Sequence, residues 1–238
     1  MAGEAHPPET FHEMTLARSA RLGLLILTGM NLLNYLDRFV VSALVESLKA
    51  SELHLTDAQC GALGTAFMVV YMATSPLFGA LGDRWKRPRL IAFGVALWSA
   101  ATALAGFARG FATLFVARAT VGVGEAAYGT ISPAMLADYF PKEQRGRVFA
   151  VFFSAIPIGS ALGYVLGGLV DRHFGWRAAF FVAGVPGMIL AALVLLLRDP
   201  PRGAHDEYLP VAHTAAPGLF SAYRALAGNP PYLLTILG

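Results

Sequence analysis

The chain has 238 residues, of which 56% are hydrophobic and only 14% are Asp, Glu, Lys or Arg. Soluble domains of this length carry nearly twice that share of charge, so the composition and a mean hydropathy of +0.56 exclude an ordinary soluble domain and indicate a membrane protein. The net charge of +3 is small, and the basic residues lie at the edges of apolar stretches, which argues against nucleic-acid binding. A single cysteine, Cys60, permits no internal disulfide.

Six stretches are long and apolar enough to span roughly 30 Å of hydrocarbon as helices, which takes about 20 residues each. The predicted spans are Ser19–Leu48, Asp57–Gly82, Pro88–Ala108, Phe111–Asp138, Gln144–Val170 and Trp176–Leu197. Thr56 is a helix N-cap signal, Pro88 suits a first helical turn, and Gly175 breaks the chain before the last span. The sequence therefore predicts an all-α membrane bundle.

The distribution of lysine and arginine predicts a cytoplasmic N-terminus. Eleven of these residues lie around 18–21, 84–89, 142–147 and 198–202, against four around 49, 109 and 172–177. Basic residues accumulate in cytoplasmic loops, so the larger group is expected inside. A bacterial inner (plasma) membrane is the expected location.

The predicted organisation has four parts. A cytoplasmic tail covers residues 1–18 and the six-helix bundle covers 19–198. A polar, proline-rich cytoplasmic linker follows over 199–230, and residues 231–238 begin a seventh membrane helix. Because this last run is too short to span, the chain is expected to be one half of a larger transporter.

The first predicted helix carries polar residues on one side. Asn31, Asn34, Asp37 and Arg38 lie within about 120° of each other on a helical wheel. An ionised side chain at the centre of a membrane helix costs about 2.5–3.5 kcal/mol, so such charges need a reason. One interpretation is helix pairing that only holds the bundle together. The other is a water-accessible cavity in which proton binding and substrate binding compete.

The loop between the second and third spans resembles the signature loop of the major facilitator superfamily, G-x-L-(A/G)-D-R-x-G-R-(K/R). It matches at Gly79, Leu81, Gly82, Asp83, Arg84 and Arg87 and departs from the pattern at Lys86 and Pro88. The glycines predict close helix approach, and the basic residues suit an anionic membrane surface. With Asp138, Arg145 and Arg147, this loop is a candidate cytoplasmic gate, and an ordinary positive-inside loop is the alternative.

The fourth predicted helix has a small, polar face. Arg118, Gly122 and Gly124 form an R-x-x-x-G-x-G stretch that resembles one associated with proton-coupled members of this superfamily. Arg118 and Glu125 are seven residues apart, about 10.5 Å along a straight helix, so each is expected to have its partner on another helix.

Asp37 is the preferred proton carrier if Arg118 or Arg38 is its counter-ion. Glu125 is the rival, either as a carrier or as a site for a cationic substrate group. A charge network that stays fixed during transport is the structural alternative.

Small and aromatic residues complete the pattern. Gly159, Gly163 and Gly167 recur at four-residue intervals, which predicts G-x-x-x-G packing of the fifth helix, and Gly122 and Gly124 are expected to pack in the same way. The aromatic candidates for a cavity wall are Tyr71, Tyr128, Phe153 and Tyr164.

Three longer segments resemble the Spinster branch of the superfamily. Residues 31–39 are NLLNYLDRF, 118–128 are RATVGVGEAAY and 155–164 are AIPIGSALGY. The resemblance extends over all six predicted helices and implies a twelve-helix transporter whose animal members export sphingosine phosphate or lysophospholipids. It implies a central cavity for proton coupling and substrate binding that includes Asp37, Arg38, Arg118 and Glu125, to which we add Asn31, Asn34, Tyr35 and Tyr128.

The sequence thus predicts the N-terminal half of a major facilitator fold, made of two inverted three-helix repeats plus the start of helix seven. We expect a proton-coupled secondary transporter of a lipid-like or amphipathic molecule working by alternating access, not an enzyme, with the proton as coupling ion and no metal or other cofactor. The expected partners are the lipid bilayer, the substrate and a C-terminal six-helix half, but no nucleic acid. The alternatives are a drug, sugar or organic-anion proton antiporter of the same fold, and an inactive half-transporter that acts only in binding or assembly.

Overall fold

The structure is a computed structural model that describes residues 11–205, 224 and 228–230, with side chains from residue 18 onward. Across residues 11–205 it forms the helices α1 (Phe11–Ala43), α2 (Val45–Ala50), α3 (Asp57–Arg84), α4 (Arg87–Ala105), α5 (Phe111–Tyr139), α6 (Lys142–Phe174) and α7 (Trp176–Val194). Residues 1–10 of the predicted tail, most of the predicted linker over 199–230 and the predicted helix start at 231–238 lie outside the described residues.

Six predicted spans correspond to these seven helices because the first span is divided at Leu44. The Leu44 N–H is shared between the carbonyls of Val40 and Val41, both at 3.1 Å, which tightens the last turn of α1 before α2 begins. α1 itself begins at Phe11, upstream of the predicted start at Ser19. The other helices coincide with their predicted spans to within a few residues.

Five of the described helices are long and apolar enough to cross a membrane, namely α1, α3, α4, α6 and α7. α5 is as long as α3, but Arg118 and Glu125 lower its hydropathy. It packs against both α3 and α4, so its polar residues are covered by neighbouring helices. Arg118 and Glu125 of α5 therefore lie in the interior of the bundle.

The predicted helix ends are confirmed by local geometry. The Thr56 hydroxyl accepts from the Gln59 N–H at 3.2 Å while the Gln59 side chain accepts from the Thr56 N–H, a complete capping box for α3. Pro88 lies in the first turn of α4. Gly175 has φ +81° between α6 and α7, a conformation that favours glycine.

The helix contacts run between the two halves of the bundle, as two inverted repeats predict. If α1–α4 form one repeat and α5–α7 the other, the first helix of each repeat packs on the second long helix of the other. α1 packs on α6, and α5 packs on α3, while α4 and α7 pack together. This arrangement places α1 and α5, the two helices with interior charges, at the centre of the bundle.

Close backbone contacts join neighbouring helices of the bundle. A Cβ atom built on Gly159 or Gly163 would lie 2.5 Å from the carbonyl oxygen of Leu32 or Leu36 of α1, so α6 approaches α1 at backbone distance. On α5, a Cβ atom at Gly124 would lie 2.5 Å from the Gly94 carbonyl oxygen of α4. The small residues named from the sequence therefore lie at helix contacts.

Two large apolar clusters and a small one around Phe78 fill the bundle among the described residues. The first includes Met30 of α1 and Val121 of α5, and the second includes Leu36 of α1 and Leu114 of α5. On α5, Arg118 lies between Ala117, which packs against the second cluster, and Val121 of the first.

Candidate functional site

The site is built by α1 and α5, whose charged side chains meet inside the bundle. Asp37 and Arg38 come from α1, and Arg118 and Glu125 come from α5. We call these four residues the interior cluster. Asp37, Arg118 and Glu125 are buried to 3% exposure or less.

The first ion pair of the interior cluster joins Arg118 to Asp37. Arg118 Nη1 lies 3.4 Å from Asp37 Oδ2, longer than the 2.7–2.9 Å of a strong charge-assisted hydrogen bond. Asp37 Oδ1 and Arg118 Nε have no hydrogen-bond partner among the residues described. This pair is therefore buried, long and incompletely bonded.

The second ion pair joins Arg38 to Glu125. Arg38 Nε donates to Glu125 Oε2 at 2.6 Å. The Arg38 side chain is 23% exposed, whereas the Glu125 side chain is fully buried. Within the described part of the chain, Glu125 Oε1 has no partner. Each carboxylate of the cluster thus has one bonded and one unbonded oxygen.

Aromatic rings of α1 and α3 surround the guanidinium groups. The Arg38 guanidinium carbon lies 4.9 Å from the ring centroid of Tyr35 and 5.3 Å from that of Tyr71. Phe67 contacts both arginines, with its centroid 4.9 Å from Arg38 Cζ and 5.2 Å from Arg118 Cζ. Such contacts are favourable cation–π interactions.

Sequence reasoning named Tyr35 and Tyr71 for the cavity but not Phe67. The signal that would have found it is the spacing of Phe67 and Tyr71, four residues apart on one face of α3.

The two asparagines of α1 differ in their hydrogen bonding. Asn31 is buried, and its Nδ2 donates to the Phe152 carbonyl of α6 at 2.9 Å. Asn34 is also buried, and its Nδ2 has no partner among the described residues. Asn31 thus contributes to helix packing, while Asn34 offers a free donor one turn from Asp37.

Tyr128 is placed in the helix-packing core and not on an open cavity wall. It is 2% exposed, its hydroxyl donates to the Leu27 carbonyl of α1 at 2.7 Å, and its ring meets Trp98 edge-on at 5.5 Å. The hydroxyl is therefore engaged by α1. Sequence periodicity alone does not distinguish a core-facing from a cavity-facing tyrosine.

A second polar network lies where α4 begins and α5 ends, which we call the Arg87 end. Arg87 Nη1 lies 2.5 Å from Asp138 Oδ2, and Arg87 Nε lies 2.7 Å from Asp199 Oδ1. The Arg87 backbone N–H also donates to Asp199 at 3.0 Å, and Nη2 donates to the Pro200 carbonyl. Arg87 thus joins α4 to α5 and to the segment after α7.

The other predicted gate residues surround this network. Gly79 and Gly82 face α5. A Cβ atom built on Gly79 would lie 3.5 Å from Thr130 Cγ2, and one built on Gly82 would lie 3.0 Å from Ile131 Cγ1. Arg145 Nε donates to the Ala137 and Phe140 carbonyls. Asp83 and Arg84 are exposed, and within the described part of the chain neither has a hydrogen bond or ion pair that the structure records.

The segment after α7 contributes contacts that sequence reasoning did not foresee. Arg202 Nη2 donates to the Gly82 and Trp85 carbonyls, both at 2.8 Å, and the Gly203 N–H donates to Asp138 at 2.9 Å. A cavity of about 280 Å³ lies between Asp83, Asp138 and this segment. Polar composition predicted a linker here, and no local motif marked its attachment.

The opposite end of the bundle carries more exposed pairs and is called the Arg177 end. Arg177 Nη2 lies 2.5 Å from Glu52 Oε1, and its Nη1 donates to the Gly106 and Ala108 carbonyls. A backbone N–H, and after it the Arg177 guanidinium, lower the pKa of Glu52. Across the described residues, no cluster of three or more His, Cys, Asp or Glu side chains is arranged to hold a metal ion.

The chain is similar in sequence to known membrane transport proteins over most of its length. The sequence pattern of the Major Facilitator Superfamily matches residues 27–238. The chain is 39% identical over 219 residues to protein spinster homolog 1 of Homo sapiens and 38% identical over 194 residues to protein spinster of Drosophila melanogaster. These alignments cover 90% and 81% of the chain but 41% and 32% of the relatives, so the chain spans about two-fifths or less of their length.

Solved structures share the fold. A bacterial homolog of the human lysosomal transporter Spinster, in an inward-facing and unoccupied conformation, matches with a TM-score of 0.75 at 26% identity, over 89% of this chain and 50% of that one. The inward-facing, occupied conformation matches with a TM-score of 0.71 at 27% identity, over 77% and 45%. These matches confirm the predicted fold.

Proposed function

The chain belongs to the major facilitator superfamily, with Spinster proteins among its relatives, and on this premise we propose that it forms one half of a secondary active transporter. The transporter moves a lipid-like or amphipathic small molecule by alternating access. Proton binding to the interior cluster drives the change between its conformations.

The observation that supports this proposal most directly is the incomplete bonding of the two interior carboxylates. Asp37 and Glu125 each bind an arginine through one oxygen, while Oδ1 and Oε1 remain free among the described residues. A free carboxylate oxygen accepts a proton without first displacing the arginine. Once protonated, the carboxyl group attracts the guanidinium less strongly, and the contact between α1 and α5 weakens.

Arg38 is the residue we assign to substrate binding. It is the most exposed member of the interior cluster, and the aromatic rings of Tyr35 and Tyr71 flank it. A guanidinium beside aromatic rings suits an anionic headgroup attached to an apolar chain. Protonation of Glu125 would break its ion pair with Arg38 and leave the guanidinium, still beside the aromatic rings, available to such a headgroup, so proton and substrate binding are linked through one arginine.

Two further features belong to the proposal. The Arg87 end, where basic residues concentrate, is the cytoplasmic side and acts as the gate, and the N-terminus lies on that side. The exposed apolar faces of α3 and α6, which include Met72 and Leu169, pack against a C-terminal six-helix half and against lipid.

The test is proton movement in proteoliposomes that contain the chain, alone and with a C-terminal six-helix half. Lysophospholipid is added outside, and an enclosed pH-sensitive dye reports proton flux. We expect substrate-dependent flux that Asp37→Asn or Glu125→Gln abolishes or reduces at least tenfold. Glu143→Gln is the matched control because it makes the same chemical change at an exposed position.

Each result decides between the candidate functions. Flux lost in one carboxylate variant but kept in the control identifies the carrier. Substrate uptake without a pH response, unchanged in both variants, would show that the interior cluster is a fixed structural network and that proton coupling is wrong.

A further inference from the structure

Phe67 of α3 is a single apolar side chain in contact with the cationic member of both interior ion pairs. Its ring centroid lies 4.9 Å from Arg38 Cζ and 5.2 Å from Arg118 Cζ. Phe67 is 5% exposed and Arg118 is 3% exposed, so their contact is buried, whereas the Arg38 side chain is 23% exposed. Cation–π attraction is larger when the cation is desolvated, as Arg118 is here.

The position of Phe67 is set by the packing of α3 on α5. A Cβ atom at Gly122 would lie 2.6 Å from the Phe67 carbonyl oxygen and 3.1 Å from the Tyr71 backbone nitrogen. Only glycine at 122 lets the α3 backbone come this close, one helical turn from Arg118. The ring is therefore fixed beside the arginines by the backbone contact behind it.

We propose that Phe67 is a positioning residue shared by both ion pairs, which retains Arg38 and Arg118 beside its ring when their carboxylates take up protons. A guanidinium whose carboxylate has become neutral carries an uncompensated charge inside the bundle, at a cost that is greatest for the buried Arg118. The negative face of the ring offsets part of that penalty. The offset is larger for an arginine whose carboxylate is protonated than for the same arginine in its ion pair. The ring thus favours the protonated state of both Asp37 and Glu125.

The charged and titratable groups around the ring come from three helices. They are Tyr35, Asp37 and Arg38 of α1, Tyr71 of α3, and Arg118 and Glu125 of α5. α4, α6 and α7 carry their charged residues only at their ends. At this level α4 contributes the uncharged Thr102 hydroxyl, which interacts with the Asp37 carboxylate.

The experiment replaces the ring's charge distribution while keeping its shape. Trifluorophenylalanine is introduced at position 67 by amber suppression, and Phe67→Leu is made alongside. Infrared carboxyl signals of the chain in lipid nanodiscs are then titrated with pH, in Asp37→Asn and Glu125→Gln backgrounds that each report the remaining carboxylate. The matched control is trifluorophenylalanine at Phe78, a residue of α3 with similar burial, 6% exposed, and no recorded contact with a cation among the described residues.

We expect both titration midpoints to fall by about half to one and a half pH units with the modified ring at 67, and to stay unchanged with it at 78. A midpoint that does not move, or a fall in only one carboxylate, would overturn the shared role. If Phe67→Leu fails to fold, the fluorinated ring still decides the question. The effect on transport rests on the proposed function, and an absence of proton flux in the unmodified protein would refute that function without touching the infrared result.

Discussion

The interior cluster and the Arg87 end use the same ion-pair chemistry but differ in how completely their polar atoms are bonded. Every guanidinium nitrogen of Arg87 and its backbone N–H has a hydrogen-bond acceptor. In the interior cluster, Arg118 Nε, Asp37 Oδ1 and Glu125 Oε1 have none within the described part of the chain. The more deeply buried network is thus the less satisfied one.

This difference in bonding makes the Arg87 end a fixed attachment and the interior cluster an adaptable one. A fully bonded arginine has a single favourable arrangement, and any movement breaks several bonds at once. An under-bonded buried pair is costly to keep, yet it can take up a proton or exchange partners with little rearrangement. The contrast predicts that the interior cluster controls conformation, while Arg87 controls the attachment of the segment after α7.

The largest expected effect is that of removing one interior arginine. Arg118→Ala leaves the Asp37 carboxylate buried at 2% exposure without a cation at its bonded oxygen. Breaking a buried ion pair in this way costs about 3–5 kcal/mol. We expect that loss in chemical unfolding of the chain in mixed micelles, followed by far-UV circular dichroism.

The double variant tests whether the loss arises from the unpaired charge. Adding Asp37→Asn to Arg118→Ala removes the orphaned carboxylate, so most of the lost stability should return. If the double variant is as unstable as the single one, packing of the arginine side chain and not its charge holds α1 to α5.

A smaller, local effect is expected at the Arg87 end. Arg87→Ala removes the bonds to Asp138 and Asp199, and hydrogen bonds to charged groups contribute about 1.5–3 kcal/mol. Amide hydrogen exchange at Gly203, whose N–H is bonded to Asp138, should accelerate about tenfold or more. Arg84→Ala is the control, because Arg84 is exposed at the adjoining end of α3. Equal acceleration in both variants would contradict a specific attachment by Arg87.

The fold was largely predictable because its signals are local. Apolar length defined the spans, Thr56 and Pro88 marked helix starts, and the glycines of α6 indicated a close contact with another helix. The break at Leu44 was not predictable, because no glycine or proline marks it and a shared carbonyl contact produces it.

For the site, the sequence predicted the features that lie within a single helix but not the contacts between helices. The polar face of α1 and the seven-residue separation of Arg118 and Glu125 indicated that each α5 charge needs a partner elsewhere. Which partner each one takes depends on the register between α1 and α5, and that is set by tertiary packing. Tyr128 and Phe67 show the same limit, since helical spacing does not say which neighbour a buried ring meets.

The smallest effect, and the sharpest contrast with the buried pairs, is expected at the Arg177 end, where Glu52 is exposed. Its pKa is lowered first by a backbone N–H and then by Arg177, so its contribution to stability is present above the ordinary glutamate pKa and is lost as pH falls through the lower folded-state value. The melting temperature of Glu52→Gln should therefore lie slightly below that of the unmodified chain at neutral pH, and the difference should shrink below the ordinary glutamate pKa and vanish below the lowered folded-state pKa. In an Arg177→Gln background the same substitution should show a smaller but nonzero difference, because the backbone bond remains. A difference that grows as pH falls would mean that Glu52 is stabilised in its protonated form, and the Arg177 end would then behave as we propose for the interior cluster.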